Sequence, residues 1–384
     1  MQAVILAAGE GRRVRPLTHS RPKALIPVAN RPIIEYVIDA LIKNGIRDII
    51  VVVGYRREQV TRYLNHLNVP VTVVVQDKQL GTAHALKCAK SKIKENFILL
   101  PGDNYIDAGS IAQIKDKRNA MLVKEHPSPS NFGVVTLREG EVTHIIEKPE
   151  KSPSFMVSTG IFSLTPDFFP YIRGNDITDA VACMLEDGKT IHGVVAGDWQ
   201  DAIYPWDLLR MNARLLSQIS ASRYGTSSRN TIITGTVQVG KGTVIGPNTV
   251  ISGPVIIGED CEIGPNCCIL PDTSLGSRVK IEPFCYIGNS LIMNDCSIGS
   301  HSRILDAVLG EGCVLSDHTT TCTSASLMEI EGVITKPEFG AILGDGVQAG
   351  AFTTFKNCII GNNTTVEDGN RVISSSLPDD SLVI

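Results

Sequence analysis

The stretch from Leu6 to Val28, LAAGEGRRVRPLTHSRPKALIPV, sets five cations, Arg12, Arg13, Arg15, Arg21 and Lys23, beside two glycines and a single acid, Glu10. The whole chain has a net charge of −4, so it exerts no general attraction on nucleic acid or anionic membrane. The positive charge is therefore a local device. One chemistry for a glycine loop after a strand is dinucleotide binding, which needs a third glycine and an acid after the second strand. Val14 stands at the third glycine position, and the run VVVGY at 51–55 supplies no acid. A loop for a free triphosphate fits better, because glycine N–H groups and several cationic side chains can surround a phosphate chain. The competing reading is a solvated basic loop.

Such a loop must sit at the end of a strand, and the chain supplies one in AVILA at 3–7. Ile33, Ile34, Val37, Ile38, Leu41 and Ile42 then recur at helical spacing, with Gly45 placed to end the helix. DIIVVV reads as a buried strand, REQVTRYLNHL as a helix, VTVVV as a strand, TAHALKCAKS as a helix and FILLPGD as a strand. This alternation predicts an α/β domain with a mostly parallel, Rossmann-like sheet and helices on both faces. Ligands in such sheets bind beyond the carboxyl ends of the strands. Gly9 to Lys23, Gln76 to Thr82 and Gly102-Asp103 all fall there.

The period changes near residue 230. Val239, Ile245, Ile251, Ile257, Ile263, Ile269, Leu275, Ile281, Ile287 and Met293 are apolar at a strict spacing of six, and the spacing resumes at Ile298 and Ile304 and again at Ile360, Val366 and Val372. Four positions after each comes a mostly small residue, among them Thr243, Thr249, Cys261, Cys267 and Cys285, with Leu291 the larger exception. A period of six is the hexapeptide signature of a parallel β-helix, three hexads to a coil. Cys267 and Cys285 should then stack one coil apart as buried filler. Segment 322–340 breaks the period, as a loop leaving the helix would. At 384 residues two domains are the default, here 1–225 and 226–384. The second resembles the left-handed β-helix of hexapeptide-repeat proteins.

The motifs of the first domain resemble those of sugar-1-phosphate nucleotidyltransferases. LAAGEGRRVRPLT is similar to that family's LAAGxGTRLxPLT signature, with Arg12 at the usual threonine, and RPKALIPVANRPIIEYVIDAL matches the stretch of its catalytic lysine. QDKQLGTAHAL matches its base-reading loop, PGD its metal aspartate, NFGVV and IIEKP its sugar contacts, STGIF its N-x-G-I segment and WQDAIYPWDLL its W-x-D segment. The resemblance covers roughly residues 1 to 215. It implies that a sugar-1-phosphate oxygen attacks the α-phosphorus of a nucleoside triphosphate and pyrophosphate leaves. Arg13 and Lys23 would neutralise phosphate charge, and Leu6, Ala7, Ala8, Gly9, Gly11, Gln76, Gly81 and Thr82 would hold the nucleotide. Gly133, Glu147, Lys148 and Ser158 would hold the sugar phosphate, and Asp103 and Asp201 would hold Mg²⁺, which favours carboxylate and phosphate oxygens. The nucleophile is already ionised, so no general base is needed. Arg12 has no assigned role.

Gln76 bears on the base. Its amide offers one acceptor and one donor face, which complements uracil or thymine; guanine's paired donors would suit a carboxylate better, and members specific for guanine tend to carry glutamate there. UTP or dTTP is favoured over GTP.

For the second domain three readings stand. It is a structural scaffold stacking into trimers, a regulatory element, or a second enzyme. The architecture resembles bifunctional uridylyltransferase/acetyltransferases, which use a β-helix histidine to deprotonate an amino sugar before acetyl transfer from acetyl-CoA. GSHSRILDAVLGEG makes His301 the candidate base, although Arg303 and Ile304 stand where that family has a tyrosine. A non-catalytic alternative is a nucleotide-sugar-binding exchange subunit; those typically lose the lysine and metal ligands that Lys23, Asp103 and Asp201 supply here. Glucose-1-phosphate and N-acetylglucosamine-1-phosphate both fit as acceptors. The N-terminus lacks a basic region and a long apolar run, and no stretch approaches the ~18 apolar residues of a membrane helix, so a cytoplasmic, homo-oligomeric enzyme is expected.

Overall fold

The computed structural model describes residues 1–67 and 69–384. The apolar runs become strands β1 (Gln2–Ala7), β2 (Asp48–Val53), β3 (Val71–Val75) and β4 (Phe97–Pro101), which pair in parallel in the order β3-β2-β1-β4. Helices α1 (Ile33–Lys43), α2 (Arg57–His66) and α3 (Thr82–Ala89) make the crossovers. On α1 the periodic Ile33, Ile34, Val37, Ile38 and Leu41 are buried. The helix ends as its glycine predicts: Gly45 has φ +78° and its N–H reaches the carbonyl of Ile42.

Beyond β4 the chain forms β5 (Asn104–Ile106), α4 (Ala108–Ile114), β6 (Ala120–Glu125), β7 (Gly133–Arg138), β8 (Glu141–Glu147), β9 (Met156–Leu164), α5 (Ile177–Glu186), β10 (His192–Val195) and β11 (Trp199–Asp201). Strand β9 continues the sheet antiparallel to both β4 and β6, and β10, β8 and β7 follow. The sheet is thus parallel in its first four strands and mixed in the rest. A register break in β9 between Ser158 and Phe162 surrounds Gly160, whose φ of +76° is open to glycine at little cost.

The second half is a left-handed parallel β-helix of three sheets with nine, nine and eight strands. In one sheet Ile245, Ile263, Ile281, Ile298 and Leu315 lie one above another, and these side chains belong to a single core that runs from Val237 to Val372. The small positions are buried as well, including Thr243, Thr249, Cys261, Cys267 and Cys285. The six-residue count first fails after Ile287 and drops to five again from Ile304 to Leu309 and from Phe355 to Ile360. Leu275 pairs with Ile292, so Ile292 and not Met293 points into the core. The turn from Gly288 to Ser290 is one residue shorter than its predecessor, and from here, the excursion at 322–340 aside, neighbouring coils pair residues 17 apart where the earlier ones paired residues 18 apart. Segment 322–340 does leave the coil, as paired strands Ser324–Ala325 with Glu338–Phe339 and Met328–Ile330 with Val333–Thr335.

By contacts the chain divides into two compact units, Met1–Glu10 with Ile33–Asp201, and Gly11–Pro32 with Ala202–Ile384. The expected boundary at 225/226 falls inside the second of these contact units. Helix α6 (Asp207–Leu216) packs with the β-helix through Asn212, fully buried, which accepts from Ser274 Oγ at 2.5 Å and donates to the Asp272 carbonyl at 3.0 Å. The signature loop joins the same unit because Asn212 also accepts from the N–H of Ala29, at 2.9 Å.

Candidate active site

The carboxyl ends of β1, β3 and β4 lie on one edge of the parallel sheet, and a cavity of about 520 Å³ opens there. It is lined by Leu6, Ala8, Gly9, Gln76, Gly81, Thr82, Asp103, Gly133, Glu147, Lys148, Ser158 and Asp201, together with residues the motifs did not single out. Ala7, the last residue of β1, is buried beside it.

At the β3 end, Gln76 is 3% exposed. Its amide nitrogen donates to the Gly81 carbonyl at 3.1 Å and lies 2.9 Å from His84 Nδ1. The amide nitrogen is thus committed to the chain's own acceptors, which leaves the carbonyl oxygen as the side chain's remaining polar atom at the cavity wall, an acceptor for an N–H donor. Gly81 is required here: its φ is +129°, and a Cβ would stand 2.5 Å from the Asn175 carbonyl oxygen. Thr82 begins α3, and its hydroxyl accepts from the N–H of Ile177 at the start of α5.

At the β4 end, Asp103 precedes β5. Strand β5 pairs antiparallel with β11 so that Asn104 is the register partner of Asp201. With its amide turned to satisfy its neighbours, Asn104 donates to Asp201 Oδ1 at 3.0 Å and to Asp103 Oδ1 at 3.3 Å. Two carboxylates are therefore drawn to one buried amide. No group of three or more metal-ligating side chains exists among the described residues. Two carboxylates with further oxygens from substrate suit Mg²⁺, which keeps open positions for phosphate and water. Asn104 was missed in sequence because an asparagine after PGD has no special spacing.

The far wall carries the sugar candidates. Glu147 ends β8, accepts from the Thr178 hydroxyl at 2.7 Å and pairs with Lys148 at 3.1 Å. A Cβ on Gly133 would meet Glu147 Oε2 at 3.2 Å, so the missing side chain leaves room for that carboxylate. Ser158 is buried and its hydroxyl accepts from the Gly160 N–H at 3.2 Å, which commits it to the bulge. Trp199 and Phe132 pack edge to face nearby, with ring centroids 5.4 Å apart.

Gly11, Arg13 and Lys23 belong to the other unit. Gly11 has φ +67°, and a Cβ there would stand 3.0 Å from Lys23 Cβ. The Thr18 hydroxyl closes the turn by donating to the Gly11 carbonyl at 2.9 Å. Lys23 is 8% exposed, and the Arg13 guanidinium lies 6.0 Å from the Tyr204 ring centroid. Arg12 is exposed. His301 sits at an exposed coil corner with φ +59°. Its ring is sandwiched between Phe284 at 4.8 Å and His318 at 5.0 Å.

A family model described as nucleotidyl transferase matches residues 2–218, and one described as a GMPPB C-terminal domain matches residues 251–373. The bifunctional protein GlmU of Methanococcus maripaludis (strain C7) is 40% identical, with 100% of this chain and 99% of that protein covered. The low-salt glycan biosynthesis nucleotidyltransferase Agl11 of Haloferax volcanii is 36% identical over 81% of this chain and 93% of its own length. Among solved structures, a putative glucose-1-phosphate thymidylyltransferase from Bacillus anthracis is 28% identical with a TM-score of 0.53, over 58% of this chain and 97% of that one.

Proposed function

The chain belongs to the nucleotidyl transferase family, and from that premise we propose that it transfers a nucleoside monophosphate from UTP or dTTP to glucose-1-phosphate or N-acetylglucosamine-1-phosphate. The observation that supports this most is the convergence on one cavity of a base-reading amide at Gln76, the carboxylates Asp103 and Asp201 and the sugar-side Glu147. In the reaction a sugar phosphate oxygen forms a bond to the α-phosphorus, the bond from that phosphorus to the bridging oxygen breaks, and pyrophosphate leaves with the electron pair. No proton has to move. Catalysis rests on positioning and neutralisation of charge. By their place in the motif, Arg13 draws off charge on the β- and γ-phosphates and Lys23 serves the α-phosphate and the incoming sugar phosphate. Gly9 and Gly11 offer backbone N–H groups to the phosphates. Gln76 accepts from the base N3–H, and Glu147 accepts from sugar hydroxyls while Lys148 pairs with the sugar phosphate. Asp103 and Asp201 would hold Mg²⁺, held near one another by Asn104, and the ion when bound supplies further neutralisation of the phosphates. A matrix of nucleotides against sugar phosphates, read as pyrophosphate release, tests this reading. Activity with GTP alone would overturn the base assignment.

A second activity is favoured by one observation: relatives matched over their full length are called bifunctional. In this reading the β-helix acetylates an amino-sugar-1-phosphate with acetyl-CoA, and His301 is the base. Stacking covers the faces of its ring, but the nitrogen lone pair lies in the ring plane and leaves through the edge, so a sandwiched histidine can still take a proton. Adding acetyl-CoA to the matrix assay tests it, with His301→Ala expected to remove acetyl transfer and spare nucleotidyl transfer. The ten cysteines are unpaired thiols, which suits a reducing compartment. We place the enzyme in the cytoplasm as a homo-oligomer built on the β-helix, a trimer or a multiple of one.

A further inference from the structure

The coils of the β-helix turn one corner with a repeated polar device. A carboxylate or amide oxygen from one coil accepts the N–H of the coil before it: Asn294 from Ser277 at 2.9 Å, Asp345 from Glu311 at 2.8 Å, Asn362 from Asp345 at 2.7 Å and Asp379 from Asn362 at 2.8 Å. A neighbouring corner does the same with Asp317, which accepts from Ser300, and Asp368, which accepts from Ala351, both at 2.7 Å. One oxygen is enough for this task, and asparagine performs it as well as aspartate at 294 and 362.

At the first corner the second oxygen is also used, and it faces the signature loop. Asp345 Oδ2 accepts from Arg21 Nη2 at 2.6 Å and from the Ser20 hydroxyl. Asp379 Oδ2 meets His19 Nδ1 at 2.6 Å. Asn362 donates to the Pro16 carbonyl at 3.2 Å. Arg21 also pairs with Glu311 at 3.2 Å and rests on the Met293 sulfur at 3.1 Å. Its side chain is 11% exposed and that of Asp345 18%. Removing Asp345 would leave the Arg21 cation largely buried with only the more exposed Glu311 to offset it, which costs more than a surface pair contributes. The loop is thus pinned at residues 16, 19, 20 and 21, between Arg13 and Lys23.

We propose that this β-helix corner is the positioning element of nucleotidyl transfer, with Asp345, acting through Arg21, as the positioning residue that fixes where Lys23 stands. A coil formed more than three hundred residues downstream then sets the geometry of a loop near the N-terminus, within one compact unit. The inference rests on the role given to Lys23 above. Displacing a phosphate-binding cation by about 1 Å is expected to cost up to a hundredfold in rate.

The test compares two matched substitutions in the full-length protein. Asp345→Asn keeps the oxygen that accepts from Glu311 and removes the charge facing Arg21. Asp317→Asn makes the same change at a corner that holds coil alone. The expected result for Asp345→Asn is a fall in kcat of about ten- to a hundredfold, with the KM for sugar phosphate changed much less. Amide hydrogen exchange at residues 12–25 should accelerate at least about tenfold, while the β-helix amides keep their protection. Asp317→Asn should leave kcat and loop exchange at wild-type values. Normal kcat and normal loop exchange in Asp345→Asn would overturn the proposal, as would equal losses in both variants, which would mark coil stability as the cause. If the wild type releases no pyrophosphate, the role of Lys23 fails, and loop exchange alone then decides whether Asp345 anchors the segment.

Discussion

Asn104 and Asp201 face each other as register partners of a two-stranded antiparallel pairing, and the amide of Asn104 reaches the carboxylates of both Asp201 and Asp103. One neutral side chain thereby holds two carboxylates close, an arrangement a divalent ion would favour. Asp103→Ala and Asp201→Ala should each lower kcat by about two to three orders of magnitude, the effect of losing a metal ligand. Steady-state turnover across a Mg²⁺ titration checks this. Asn104→Ala should raise the Mg²⁺ concentration needed for half-maximal rate while leaving the maximal rate closer to normal.

Gln76 holds its amide protons toward the Gly81 carbonyl and His84. In Gln76→Glu a carboxylate oxygen would face that carbonyl with no proton to share. An unpaired buried polar group costs about 1–3 kcal/mol. The value of kcat/KM should fall about ten- to a hundredfold for UTP and dTTP, with no gain for GTP, because the second carboxylate oxygen faces the chain and not the base. Competition among the three nucleotides measures the ratio.

The β-helix core should respond as a stacked, close-packed column. Ile287 is fully buried and lies between Ile269 and Ile304. Ile287→Ala should destabilise the domain by about 2–5 kcal/mol through lost contacts and a cavity. Urea unfolding followed by far-ultraviolet circular dichroism checks this.

Burial pushes the Cys358 thiol up to about 12. Its thiolate is then scarce near neutral pH, and thiolate is the reacting species. At pH 8 a thiol reagent should label Cys358 only as fast as the β-helix opens, and labelling should become rapid in denaturant. Mass spectrometry of peptides after timed labelling distinguishes the two regimes.

Asp107 caps α4, accepting from the N–H groups of Ser110 and Asp198 and from the Ser110 hydroxyl. Burial raises its carboxyl, but these bonds outweigh burial and hold it below its ordinary 3.8. A depressed carboxylate stabilises the fold above its unfolded value and loses that contribution as pH falls through the folded one. Asp107→Ala should cost about 1 kcal/mol at neutral pH, and the gap to wild type should close as pH falls below 3.8. Paired melts across pH 3 to 7 measure it.

Much of this architecture was legible because it repeats. The hexad spacing identified the β-helix, and alternating apolar runs identified the sheet edge where Gln76 and Asp103 gather. What escaped was set by single departures from period or by distant partners. Met293 matched the count, yet a turn shortened by one residue turned Ile292 inward instead. Asn104 became notable only once β5 met β11. Arg21 looked like one more cation of a phosphate loop, and its pairing with Asp345 depends on coil register far along the chain. Arg12 is exposed, and nothing in the fold explains its place at the usual threonine position.

The central claim is that this chain joins a nucleotide to a sugar phosphate using Lys23. The most direct measurement is pyrophosphate release by the full-length protein with Mg²⁺, supplied with UTP or dTTP and with glucose-1-phosphate or N-acetylglucosamine-1-phosphate, beside Lys23→Ala. The account predicts release that requires both substrates and falls by at least about a hundredfold in the variant. No release with any pair of substrates, or near-normal turnover by Lys23→Ala, would contradict it.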